Sequence, residues 1–192
     1  MRRPAATTAA TLFLVTALPA LLLAFAGESA VHWLCYERTA IGDGQWWRLL
    51  SGHWLHLSWY HLSFNLGALL LFTLVFHRLV PPCLWLLTLG TGALAVGGGL
   101  YLFSPQVGWY VGLSGILHTL WAVGATRLVQ NGERLIGKLL LAALAVKILW
   151  EQLAPPNRDF EQVIGGMVII DAHLYGAIAG LLLGVAWRVQ PR

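Results

Sequence analysis

Long apolar blocks alternate with shorter polar intervals along this chain, and the blocks are about as long as a bilayer core is thick. Crossing about 30 Å of hydrocarbon takes roughly 20 apolar residues in a helix. Six stretches fit that pattern, at about residues 11–26, 59–76, 84–103, 113–129, 136–153 and 168–189. They predict an all-α integral membrane protein, a six-transmembrane-helix bundle that takes up residues 1–192 as a single domain. The long first polar interval, residues 27–57, concentrates Trp33, Trp46, Trp47 and Trp54, whose amphipathic rings favour headgroup depth. It is expected to be a membrane-associated external loop.

Composition points the same way. With 58% apolar residues and only 10% charged, a 192-residue chain cannot clothe a soluble core in a polar exterior. The net charge of +4 resolves into an orientation. If both termini are cytoplasmic, that side holds Arg2, Arg3, Arg78, Arg127, Arg134, Lys138, Arg188 and Arg192 against Glu133 alone. The opposite loops carry Arg38, Arg48 and Arg158 against Glu28, Glu37, Asp43, Glu151, Asp159 and Glu161, which is the positive-inside bias. The basic balance therefore reports topology, and no nucleic-acid partner is expected; the lipid bilayer is.

The first segment has a second reading. Arg2, Arg3, an apolar run and Ala24-Phe25-Ala26 together resemble a cleavable secretory signal, whose removal would leave five spans and opposed termini. Retention gives six spans with both ends on one side. Cys35 falls in the external loop and Cys83 at the cytoplasmic end of the third span, so no disulfide between them is expected.

Candidate chemistry lies at the starts of three spans. A polar side chain at membrane depth costs free energy unless it is satisfied or used. Ser114 opens the fourth span within Gly-Leu-Ser-Gly-Ile-Leu-His, His173 opens the sixth, and His61 and Asn65 open the second. With odd spans running outward and even spans inward, all four fall in one layer just below the external surface. Gly176, Gly180 and Gly184 recur every four residues on one helical face, three residues after His173, and Gly112 and Gly115 flank the serine. Such small-residue faces let the fourth and sixth spans approach closely enough for a Ser114–His173 hydrogen bond of roughly 3 Å. The same glycines would serve helix packing alone.

The chemistry implied is nucleophilic, with His173 taking the Ser114 proton and returning it to a leaving amine. No third member is obvious. Asp171, two residues from His173, points to the opposite helix face, and a dyad is the simpler reading. Backbone amides at the start of the fourth span, with His61 and Asn65 at i, i+4 on one face, offer oxyanion donors. Lys147 and Glu151, one turn apart near the external end of the fifth span, read as an ion pair or as a snorkelling lysine. His32, His53 and His77 read as exposed boundary histidines without metal-ligand spacing, and no metal or cofactor is expected.

The Trp47-Arg48 pair, His56, His61 followed by Asn65, Gly-Leu-Ser-Gly at 112–115 and Ala-His-Leu-Tyr-Gly-Ala-Ile-Ala-Gly at 172–180 stand in one order. In that order the chain resembles the rhomboid intramembrane serine proteases over nearly its whole length. The resemblance implies a rhomboid-like bundle, Ser114 as nucleophile, His173 as base and His61 with Asn65 as oxyanion donors, with His56 supporting the first loop. Where many bacterial rhomboids carry a tyrosine stacked on the catalytic histidine, this chain has His118. Gly-Leu-Ser-Gly-Ile-Leu-His resembles the rhombosortase branch instead. That branch implies substrates anchored by a C-terminal transmembrane tail with a Gly-Gly motif, an apolar helix and a basic end. It also implies a multi-pass bacterial inner-membrane protein with its site opening to the periplasm.

His118 is a rival base, since it shares a helix face with Ser114 at i, i+4; His173, on a facing helix, approaches Oγ more freely. Other function classes remain open on the residues alone. One is a general rhomboid protease with other transmembrane substrates, and another is a catalytically silent rhomboid-like protein that binds membrane clients. A small transporter would predict inverted repeats, and the two halves of the chain show none. Hydrolysis and transfer of an acyl group to an amine fit the sequence equally.

Overall fold

The computed structural model describes residues 5–187. Four of the cations counted above, Arg2, Arg3, Arg188 and Arg192, therefore lie outside the described residues. The elements run α1 Ala5–Phe25, α2 Gly27–Leu34, β1 Tyr36–Glu37, α3 Arg38–Gly42, α4 Arg48–Ser51 with a 3-10 turn Gly52–Trp54, α5 Trp59–Phe76 and α6 Pro82–Phe103. They continue through β2 Trp109–Tyr110, α7 Ser114–Gln130, α8 Arg134–Leu153, α9 Arg158–Ile164 and α10 Ile170–Ala186.

Within the described residues each of the six apolar stretches forms a helix, and local chemistry sets where several begin. Ser58 caps α5, its hydroxyl accepting from the His61 amide at 3.2 Å. Pro82 occupies the first turn of α6, where a missing N–H costs nothing. Among the described residues, α1 from Thr7 to Phe25, α5 and α6 are long and apolar enough to cross a membrane, and α10 is a shorter apolar helix. The helix α8 carries Arg134, Lys138, Lys147 and Glu151, and α7 is 17 residues long, so neither reaches that standard by composition and length.

The helix α7 lies at the centre of the bundle. Leu113, Ile116, Leu117, Leu120 and Val123 are buried in the principal apolar cluster with Leu69, Phe76, Trp85 and Leu89 of α5 and α6. The first helix is built into the same core, through Leu12 and Ala17. Its Thr16 hydroxyl accepts from Trp85 Nε1 at 3.0 Å and its carbonyl from Trp54 Nε1 at 3.2 Å. Trp54 is thus turned into the bundle and is not one of the surface anchors expected of the first loop. Outward faces remain apolar, with Leu71 and Leu74 of α5 and Leu139, Val146 and Trp150 of α8 exposed, as suits a lipid-facing exterior.

Residues 27–57 form an ordered brace. The Arg48 guanidinium, only 5% exposed, donates to the carbonyls of His32 and Cys35, each at 2.9 Å, and to Gln45 Oε1 at 2.7 Å. Trp47 Nε1 donates to the Trp33 carbonyl at 3.1 Å. From this brace β1 pairs antiparallel with β2, Tyr36 opposite Tyr110, and so fixes the segment that leads into α7. Cys35 and Cys83 are both free thiols.

Candidate active site

Ser114 is positioned by the turn between β2 and α7. After Tyr110 the chain is held by a Gly112 amide donating to the Gly52 carbonyl at 3.2 Å, and by the Tyr110 hydroxyl donating to the Gly112 carbonyl at 2.5 Å. Gly112 has φ +132, a backbone conformation that side-chain-bearing residues rarely adopt. A Cβ there would also lie 2.9 Å from His61 Cε1. The turn delivers Ser114 as the first residue of α7, preceded by Leu113, which supplies no side-chain cap. The first-turn amides of a helix have no intrahelical acceptor, so those of α7 are available as donors beside the serine.

His173 reaches Ser114 because α10 packs directly on α7. A Cβ at Gly176 would run into the Gly115 carbonyl oxygen, and one at Gly180 into that of Thr119. At that approach the two side chains meet, with His173 Nε2 2.9 Å from Ser114 Oγ. The spacing of small residues in the sequence anticipates this contact.

Glu151 of α8 completes the arrangement in a way the sequence did not suggest. Its carboxylate oxygens lie 3.0 and 3.1 Å from His173 Nδ1. Since a carboxylate can only accept, Nδ1 carries the proton and donates, which leaves the Nε2 lone pair to accept from the Ser114 hydroxyl. Lys147 Nζ donates to Glu151 Oε1 at 2.5 Å. The Lys147–Glu151 pair is therefore present, but its acid is turned inward on to the histidine and is not an isolated surface pair.

His118 is not hydrogen-bonded to the serine hydroxyl. Its Nδ1 donates to the Ser114 carbonyl at 2.7 Å, and its ring stacks on His173 with centroids 4.2 Å apart and an interplanar angle of 17°. His118, Glu151 and His173 offer ligand atoms within 4.8 Å of one another, which raises the question of a metal. Stacked rings, however, hold their in-plane lone pairs in nearly parallel sheets that do not converge on one point. The carboxylate is also engaged by Lys147 and by His173 Nδ1, so the cluster suits a hydrogen-bond relay better than a cation.

His61 and Asn65 face the same space. The Leu57 amide donates to His61 Nδ1 at 3.3 Å, so the His61 proton sits on Nε2, on the side of Gly112 and Ser114. Asn65 is buried and spends one amide hydrogen on the His61 carbonyl at 3.0 Å, leaving the other free. Ser114, His173, His61, Asn65, His118 and Glu151 all line one cavity of about 630 Å³, walled further by the α8–α9 connection and the segment before α10.

Other polar residues are accounted for elsewhere. Asp171 accepts from Ser104 Oγ at 2.6 Å and from Gln106 Nε2 at 3.0 Å, on the face away from His173 as its spacing implies. His53 is no exposed boundary histidine. It is 1% exposed, and its Nε2 lies 3.0 Å from the Ala93 carbonyl and 3.2 Å from that of Leu49, tying the first loop into α6. Burial pushes His53 down to about 4. His56 packs edge-on against His61, with ring centroids 5.0 Å apart.

The rhomboid domain family matches residues 43–189. The chain is 28% identical over 147 residues to the Bacillus subtilis protein named "Putative rhomboid protease YdcA", an alignment that covers 74% of this chain and 68% of the relative. It is 27% identical over 150 residues to "Rhomboid-like protein 11, chloroplastic" of Arabidopsis thaliana, covering 72% of this chain and 51% of that protein, so it spans about half the plant relative's length. The matched region contains every residue of the cavity described above and the part of the brace from Asp43 onward, including Trp47 and Arg48. By that match this membrane protein belongs to the rhomboid family.

Proposed function

We propose that the chain is an intramembrane serine endopeptidase of the rhombosortase type. It cleaves membrane-anchored proteins near a C-terminal tail that carries a Gly-Gly motif, an apolar helix and a basic end. The observation that carries the serine protease reading is the 2.9 Å separation of Ser114 Oγ and His173 Nε2 in one cavity; the rhombosortase substrate class rests on the resemblance of Gly-Leu-Ser-Gly-Ile-Leu-His at 112–118 to that branch. Six helices cross the bacterial inner membrane with both termini cytoplasmic, and the site opens to the periplasm, an orientation the loop charges favour.

In this mechanism Ser114 Oγ attacks the scissile carbonyl carbon while its proton passes to His173 Nε2. The carbonyl π electrons move on to oxygen, where His61 Nε2–H, the free Asn65 amide hydrogen and the first amides of α7 receive the charge. Each such donor is worth about 3 kcal/mol of transition-state stabilisation in other serine hydrolases. Collapse of the intermediate breaks the C–N bond, and His173 returns its proton to the leaving amine. Water, giving a proton to His173 Nε2, then attacks the ester left on Ser114 Oγ, and the C–O bond breaks as that proton returns to Oγ. Gly112 keeps the space beside His61 free of a side chain, while Gly115 lets Val96 of α6 and the Ala172 carbonyl pack against the start of α7. His118 stacks on the His173 ring and donates to the Ser114 carbonyl, which leaves the serine hydroxyl to His173. No cofactor enters any of these steps.

The test is cleavage in cells of a membrane substrate with a Gly-Gly tail, comparing the intact protein with Ser114→Ala, His173→Ala and His61→Ala. Loss of product with the first two and a fall of about 100-fold with the third is the expected result. Product formation by Ser114→Ala would overturn the reading. A folded protein that cleaves other transmembrane substrates but never a Gly-Gly tail would remove the rhombosortase assignment and leave the protease.

A further inference from the structure

We infer that Glu151 is the positioning acid of His173, so that the site works as a Ser114–His173–Glu151 relay with Lys147 as its counter-ion. The inference rests on the serine hydrolase reading above and goes beyond its two-residue chemistry. Both carboxylate oxygens lie within 3.1 Å of His173 Nδ1, so the acid fixes the ring tautomer as well as its rotation. The ring is clamped on three sides, by Ser114 at one nitrogen, Glu151 at the other and His118 across its face.

Charge supplies the second argument. A carboxylate at this depth would be costly if it stood alone, and Lys147, four residues before it on α8, neutralises it. At rest the group is then one cation, one anion and a neutral imidazole. When Ser114 attacks, the proton leaving Oγ settles on His173 Nε2 and the oxyanion forms, so one positive and one negative charge appear together. Glu151 meets the new imidazolium without taking its proton, because the Nδ1 hydrogen already points at it. The proton on Nε2 then goes to the leaving amine, and Glu151 ends as it began.

A structural ion pair between Lys147 and Glu151 would need no contact with His173. The two roles part in the kinetics, since an acid that orients a base changes the rate of the chemical step and not the capture of the reagent. The full-length protein in detergent micelles is treated with a fluorophosphonate, which forms an Oγ–P bond to the serine and expels fluoride, so no natural substrate is needed. Wild type is expected to label at Ser114, and Ser114→Ala not at all. Glu151→Gln keeps the shape and removes the charge; its maximal labelling rate should fall at least about 100-fold, with the half-saturating probe concentration within about twofold. Glu151→Asp should fall between the two.

A Glu151→Gln protein that labels at the wild-type maximal rate overturns the inference and leaves the hydrolase reading standing. So does one that is slowed only through its half-saturation. If Glu151→Gln does not fold, Glu151→Asp decides, and a wild-type maximal rate for it is the overturning result. An unlabelled, folded wild type would instead remove the hydrolase reading, and this inference with it.

Discussion

The His118 ring lies flat on the His173 ring, with centroids 4.2 Å apart, and donates its one N–H to the Ser114 carbonyl. A single residue thereby touches both partners of the proposed dyad without competing for the serine hydroxyl. His118 Nε2 is buried and unpartnered, as expected of a ring whose work is done by its face and by its other nitrogen.

From that contact, His118→Ala should lower the maximal rate of serine labelling about tenfold, by freeing the His173 ring to rotate away from Ser114. His118→Tyr keeps an aromatic face and should stay within several-fold of wild type. The comparison is made by probe labelling of the purified variants; an alanine variant at full rate would deny the ring any part in holding His173.

Gly176 stands where a Cβ would meet the Gly115 carbonyl oxygen, one residue after the nucleophile. Gly176→Ala should push α10 away from α7, lengthen the Ser114–His173 contact and destabilise the fold by about 1–3 kcal/mol. Thermal unfolding in detergent together with labelling rate checks this. Both should fall, and activity should fall further than the lost stability accounts for, because a shift of about 1 Å at a catalytic pair can cost roughly 100-fold.

Arg48 satisfies the carbonyls of His32 and Cys35, both 2.9 Å away, from within the first loop. Arg48→Lys provides a point charge in place of a planar fork and should leave at least one of these acceptors unpaired, at about 1–3 kcal/mol. The measurement is the unfolding midpoint, with protease digestion of residues 27–57 as a local report. A wild-type midpoint would mean that the brace depends on the tryptophans and not on the guanidinium.

Glu37 caps α3, accepting from the Ala40 amide at 2.8 Å and from that of Thr39 at 2.9 Å. Those amides, Ala40 first, hold its carboxyl below the usual value of 4.5. A folded-state value below the unfolded one means stability that is present above pH 4.5 and is lost as pH falls through the folded value. Glu37→Ala should therefore cost about 1 kcal/mol at neutral pH, and its deficit against wild type should shrink in acid. A deficit that stays constant from pH 7 to pH 3 would show that the carboxylate's charge is not what caps the helix.

Much of the architecture follows from the sequence alone. A long unbroken apolar run favours a helix, which satisfies its own backbone hydrogen bonds, so the helical character of the six stretches and the start of α5 at Trp59 can be read directly. Glycines at four-residue intervals mark the one face on which two helices can touch backbone to backbone, and this brings Ser114 and His173 together on paper. The direction of Asp171, away from His173, follows from helical spacing in the same way.

Tertiary structure alone decided the partners that cross between elements. Lys147 and Glu151 look like a self-sufficient pair at i, i+4, and nothing local says that Glu151 also reaches His173, 22 residues on and in a different helix. That depends on how α8 is rotated against α10 and at what depth it sits, which spacing within α8 alone does not encode. His53 and Trp54 went the same way: in sequence they sit in a polar loop near the surface, yet the brace folds back and inserts them between α1 and α6. Apolar burial fixes which residues leave water, whereas the pairing of the few polar groups within the bundle is set by the relative placement of helices joined by loops.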